Sequence, residues 1–290
     1  MVNFLFRGRI RLYAVLSLIS QILIVVTGGA VRLTGSGLGC PTWPECQPGS
    51  LVSVPELGIH GFIEFANRLL TFVLLFIALF TFICVLLEPK GSRKGIFWTS
   101  FSLGLGIIVQ AVIGGISVLT GLNSWIVGLH FIVSAVLIGI AAILLWYSRG
   151  AKTFESNKAV RATTSALFPF GVLTILVGVL VTGAGPHAGD AETPRNGLNI
   201  DLFAHLHSYP AYVTTALSLL LVYLVFRSKQ PIGSALALFL VLGSQAILGI
   251  VQTRTGLPVI LVGLHMLGAS VLAYLFTWQM LIRRIWFKKK

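Results

Sequence analysis

The amino-acid sequence predicts an all-α membrane protein: eight transmembrane helices arranged as two parallel-repeat four-helix bundles. Three observations lead there. First, apolar residues make up 56% of the 290 and charged residues 10%, against about 25% charged in a soluble protein. That balance excludes disorder, a coiled coil and a secreted disulfide scaffold. Second, apolar runs broken by polar clusters occur eight times, at about 12–31, 62–87, 95–119, 125–147, 162–183, 202–226, 232–253 and 259–282. Each is close to the 20 or so residues that cross a bilayer. Third, the chain repeats itself. QAVIGGISVLTGLNSWIVGLHFIVSAVL at 110–137 and QAILGIVQTRTGLPVILVGLHMLGASVL at 245–272 agree at 12 of 28 positions without a gap.

The repeat divides the chain into halves, 1–150 and 151–290, each of four spans. Both halves start on the same side, so a pseudo-two-fold axis along the membrane normal should relate them. A functional residue in one half should then have a counterpart in the other.

The net charge of +13 sorts by loop. Arg7, Arg9 and Arg11 precede the first span. Lys90, Arg93 and Lys94 fill the second connection, Arg149, Lys152, Lys158 and Arg161 the fourth, and Arg227 and Lys229 the sixth. Arg283, Arg284 and Lys288 to Lys290 end the chain. Together these are 17 of the 21 Lys and Arg. By the positive-inside rule that side is the cytoplasm, with both termini on it, in the cell membrane. The basic excess therefore reads as topology and contact with anionic membrane lipid, with no nucleic-acid site. The first span runs too long for a signal sequence and reads as a retained anchor. On the other side, the first and third loops (about 32–61 and 184–201) are long, whereas Gly121–Ser124 and Gly256–Pro258 are tight turns. Long loops on such a bundle often cover a site.

His130 and His265 are repeat partners five or six residues into their spans, roughly 8 Å below the outer surface. His207 lies at the same depth in the sixth span, with His205 slightly above it. Asn67 takes that position in the second span. One imidazole in a bundle is often a hydrogen-bonded core residue. Repeat-related imidazoles at one depth favour function, because polar groups in the bilayer are costly. Two facing His can hold a heme iron from both sides, and His207 and His265 fit that task. The other half offers Asn67 and His130, so one imidazole and a weak or open second face. Zinc is less suited, since no carboxylate or thiolate completes a tetrahedral set.

Glu64 lies one helical turn from Asn67 and is either a boundary residue or a carboxylate stabilising positive charge in the site. Arg32, Arg68 and Arg254 either snorkel to the interface or pair with heme propionates. Cys40 and Cys46 lie in GLGCPTWPEC on the oxidising side, where a disulfide is the default. It is a structural staple or, if strained and exposed, a redox carrier. Cys84 reads as core.

These features resemble the heme A synthase family: GGAVRLTGSGLGCPTWPEC after the first span, Glu64 in IEFANR, VGLH in spans four and eight, and His207 in span six. The resemblance covers nearly the whole chain. It implies an oxidoreductase that converts the ring methyl of heme O to the formyl of heme A by successive hydroxylation and loss of water. It implies heme b held by His207 and His265 in the C-terminal half as electron relay. Substrate heme O would lie in the N-terminal half near His130, with Glu64 beside the reacting methyl and Cys40 and Cys46 in redox traffic. Heme O synthase, oxidase assembly proteins and an unidentified electron donor or acceptor are the partners it implies. The sequence departs from the family at Asn67, where the Glu-x-x-His-Arg pattern has His. The alternatives are a di-heme quinol cytochrome, disfavoured because all the His gather at one face, a non-enzymatic heme carrier or assembly factor, and a transporter.

Overall fold

The computed structural model describes residues 8–88, 93–283 and 285. Arg7, Lys90, Arg284 and Lys288 to Lys290, counted above on the basic side, lie outside them. Among the described residues, eight helices are long and apolar enough to cross a membrane. They are α1 (Ile10–Leu33), α2 (Gly58–Leu87), α3 (Arg93–Leu119), α4 (Ser124–Ser148), α5 (Lys158–Ala184), α6 (Ile200–Arg227), α7 (Gly233–Arg254) and α8 (Val259–Ile282). The protein is an all-α, multi-pass membrane protein. Each helix agrees with its apolar run to within a few residues. The helices α2 and α5 begin four residues earlier than the apolar runs, through Gly58–Gly61 and Lys158–Arg161. Side-chain caps set several starts: Asn123, Asn157 and Asn199 accept from backbone N–H groups of Trp125, Val160 and Leu202, satisfying donors that a helix start leaves open.

Helix α1 packs on α2 and α4, and α3 also packs on α2 and α4, so the first four helices close into a ring. The last four close likewise, α5 on α6 and α8, and α7 on α6 and α8. The rings meet through α4 and α8, with α1 against α8 and α4 against α5. Large apolar side chains such as Phe72, Phe76, Leu240 and Ile247 face outward, as a lipid-facing surface requires.

Loops meet at two ends. At one, Phe154 N–H donates to Ile282 O at 2.8 Å, and Gln230 Nε2 donates to Glu155 O at 2.5 Å. Arg283, fully buried, donates through Nη1 to Gln230 Oε1 and lies over the Phe154 ring. Burial pulls its guanidinium below the usual arginine range. This is the basic end. At the opposite end Gly37 N–H donates to Gly189 O at 2.8 Å, and His187 Nε2 bonds Leu257 O at 2.8 Å. The two tight turns there are built alike. Gly121 and Gly256 sit at φ +61° and +76°, a region open to glycine at little cost. Leu122 N–H reaches Ser117 O, and Leu257 N–H reaches Gln252 O, both at 2.7 Å.

The close-packed cores lie toward the basic end of each ring. In the first, Ala14, Leu18, Val85, Leu103, Ile138, Ala141 and Leu144 interlock. In the second, Val160, Leu167, Leu221, Val225, Leu238 and Phe276 do so. The polar side chains singled out from sequence sit past these cores, toward the opposite end.

Candidate functional site

Each of the four polar positions is seated on a glycine of the preceding helix. Asn67 on α2 faces Gly28 of α1, and His130 on α4 faces Gly114 of α3. His207 on α6 faces Gly178 of α5, and His265 on α8 faces Gly249 of α7. The fit varies. A Cβ on Gly178 would lie 2.9 Å from His207 Cε1, and one on Gly114 would lie 3.3 Å from His130 Cε1. At Gly249 the distance is 3.6 Å, an ordinary contact. Glycine therefore gives His207 a close seat that even a methyl at Gly178 would disturb, a tighter-than-usual one for His130, and an ordinary contact for His265. Sequence reading missed this role, although Gly114 and Gly249 stand in the repeat, four residues after Gln110 and Gln245.

In the second ring His207 and His265 face one another. Their ring centroids are 6.3 Å apart and the planes are inclined by 70°. Two imidazoles bound to one metal, with bonds of about 2.0 Å and about 1.2 Å from nitrogen to ring centre, have centroids about 6.4 Å apart. The separation of the pair thus matches that of two imidazoles sharing one metal. His207 Nδ1 lies 3.0 Å from Thr174 O. That carbonyl can only accept, so Nδ1 carries the hydrogen and Nε2 keeps its lone pair for a ligand. Among the described residues, His265 Nδ1, Gln245 Oε1 and Gln252 Oε1 are buried without a partner. His205 is exposed and stands outside the pair.

In the first ring the same pattern recurs, with His130 Nδ1, Gln110 Oε1 and Asn67 Oδ1 buried and unpartnered among the described residues. Unpaired buried polar atoms cost about 1–3 kcal/mol each, and such clusters mark sites. Gln110 Nε2 donates to His130 O at 2.9 Å and to Ser134 Oγ at 2.5 Å, fixing the α4 backbone at the histidine.

Glu64 is buried, not at a wet boundary. Its Oε2 accepts from Cys40 N–H at 2.7 Å. Its Oε1 pairs with Arg68 Nη2 at 2.6 Å. Arg68 also donates to Cys40 O at 2.9 Å, Thr42 O at 3.0 Å and Glu45 O at 3.2 Å. Cys40 and Cys46 form the expected disulfide. Both residues are fully buried, because Glu64 and Arg68 draw the loop down onto α2. Trp43, between the cysteines, packs its indole on Gly115 of α3.

Arg32 is likewise committed to the chain. Its Nε donates to His187 O at 2.5 Å and its Nη2 to Thr182 O at 2.7 Å, which staples α1 to the end of α5 and to the third outer loop. Arg254 is exposed at the end of α7. Of the three arginines considered for propionates, two thus have their donors on protein carbonyls. Nothing periodic in a sequence reveals such acceptors.

The chain matches the family of cytochrome oxidase assembly proteins (COX15-CtaA) over residues 11–57 and 52–278. It is 25% identical over 291 residues to a heme A synthase of Listeria welshimeri, covering 94% of this chain and 95% of that protein. It is 32% identical over 182 residues to one of Lysinibacillus sphaericus, covering 58% of this chain and 56% of that one. A heme A synthase of Bacillus pumilus is 30% identical over 189 residues, covering 60% and 57%.

Proposed function

The chain belongs to the cytochrome oxidase assembly protein family (COX15-CtaA), and from that membership we propose that it is a heme A synthase, oxidising the ring methyl of heme O to the formyl of heme A. The observation that carries this reading is similarity along 94% of the chain to a protein named heme A synthase. The imidazole pair supports its cofactor. We assign residues 151–290 to a resident heme b, held by His207 and His265, and residues 1–150 to substrate heme O, with His130 beneath its iron. The sorted basic loops support placement in the cell membrane with both termini cytoplasmic.

Bound heme b supplies one-electron transfer. The residues do the rest. Thr174 O holds the His207 tautomer. His130 takes one face of the substrate, and Asn67, a poor ligand, leaves the other weakly held so that product can leave. Glu64 places a carboxylate near the outer end of the first ring, where it stabilises positive character as the methyl is oxidised. Its bonds to Arg68 and Cys40 N–H fix its direction, so it does not reorganise during reaction. The Cys40–Cys46 loop covers that side.

The test is chemical. Purified protein supplied with heme O, an electron donor and an oxidant should yield heme A on a chromatogram. Protein that carries heme b yet never produces heme A would falsify the reading. Glu64→Ala should lose turnover and keep heme b.

A further inference from the structure

The disulfide loop has a member whose place the proposed function does not explain. Trp43 lies midway between the cysteines, and its indole rests directly on the backbone of Gly115. The preceding residue, Gly114, is the seat of His130. Indole and imidazole thus rest on adjacent residues of one turn of α3. The same loop is fastened to α2 through Glu64 and Arg68, and Asn67 lies next to Arg68. The loop therefore reaches from α2 to α3 and lays an aromatic ring against α3 beside the seat of His130.

The repeat sharpens the point. Gly114 has its counterpart in Gly249, but Gly115 has its counterpart in Ile250, whose side chain is half-exposed. Glycine is kept in both halves where it seats a histidine. The second glycine occurs only in the half that has Trp43 to accommodate. Trp43 is itself partly exposed, and its Nε1–H makes no hydrogen bond among the described residues. It is a flat apolar face with a spare donor, held in place at both ends of its loop.

We propose that Trp43 is a substrate-contacting residue of the first-half site: its indole packs against the macrocycle of heme O at the α2–α3 edge, with Gly115 as its seat. A porphyrin is a flat aromatic surface, and an indole offers it large contact area at small entropic cost. This rests on the functional reading above, and it adds a determinant of affinity that acts in one half only.

The test uses the full-length protein with its heme b, titrated with heme O and followed by absorbance. Trp43→Phe, smaller but still aromatic, should bind heme O within about twofold of the unaltered chain, whereas Trp43→Leu, apolar but not aromatic, should raise Kd about tenfold. Gly115→Leu, which takes the seat and leaves Trp43 itself intact, should raise Kd in the same direction. Where turnover is measured, KM should rise with kcat within about twofold, a split that general loosening of the fold does not give. The heme b spectrum should stay unchanged in every variant, which reports that the second ring is intact. Trp43→Leu and Gly115→Leu binding heme O as the unaltered chain does overturns the inference alone. Failure of the unaltered chain to bind heme O overturns the functional reading and this inference with it.

Discussion

The first ring sets Asn67 and His130 against Gly28 and Gly114; the second sets His207 and His265 against Gly178 and Gly249. The seats are alike and the occupants differ. The second ring pairs two imidazoles at a separation one iron can bridge. The first carries an imidazole and an amide at the matching positions and lies beside a disulfide loop tied down by Glu64 and Arg68. The two rings thus differ at one polar position and in one outer loop. Two strong ligands suit a group that stays. One ligand and a covering loop suit a group that must arrive, react and leave.

The sharpest way to break this comparison is to remove an imidazole from the second ring. His265→Ala leaves His207 alone, and one neutral imidazole does not hold iron low-spin. We expect complete loss of the low-spin heme b spectrum in the purified protein, with the helix content by circular dichroism unchanged. A surviving low-spin spectrum would mean that some other residue is the ligand.

The converse change makes the first ring resemble the second. Asn67→His supplies the missing imidazole, and Gly28 leaves room, since a Cβ there would be 3.9 Å from Asn67 Nδ2. The variant should retain substrate heme through purification and release product more slowly. Turnover should fall about tenfold if the added bond contributes about 1.4 kcal/mol to holding the group. Heme content per chain and single-turnover kinetics together check this. Unchanged retention would show that Asn67 does not stand opposite His130.

A smaller effect separates the glycine seats. Gly178→Ala brings a methyl to 2.9 Å from His207, whereas Gly249→Ala brings one to 3.6 Å from His265. Overpacking of the first kind costs about 1–3 kcal/mol. Heme b occupancy should drop several-fold in Gly178→Ala and stay level in Gly249→Ala, as measured by the ratio of heme to protein absorbance. Equal losses in both would show that the seats act through helix packing and not through the rings.

These tests also mark how far the sequence could be read. The spans and the His130–His265 relation were legible because apolar runs and a register-true repeat are local patterns. Gly114 and Gly249 were legible in principle, since they repeat with Gln110 and Gln245. Gly178 was not, because its relation to His207 depends on how α5 and α6 pack. The disulfide pairing followed from two cysteines in a short loop, but its burial did not. That depends on Arg68 gathering the carbonyls of Cys40, Thr42 and Glu45, and backbone acceptors carry no residue signature. The same blindness applies to Arg32, whose partners His187 and Thr182 lie in the other half.

The smallest effect concerns the arginines, and it follows from that accounting. Arg32 and Arg68 already place their donors on protein oxygens, whereas Arg254 is exposed at the end of α7, in the ring assigned to heme b. If a propionate of heme b reaches an arginine of this set, Arg254 is the one with donors to offer. An exposed ion pair contributes about 0.2–1 kcal/mol, so Arg254→Gln should speed transfer of heme b to a competing apoprotein about twofold to fivefold. Raising the salt concentration should shrink the difference, because an exposed pair is screened. Arg68→Gln should leave that rate alone and instead lower the thermal stability of the first outer loop, seen as faster reduction of Cys40–Cys46 by an added thiol. Were Arg68→Gln to release heme b and Arg254→Gln to retain it, the division of labour between the two rings would have to be redrawn, with the lidded ring holding the permanent group.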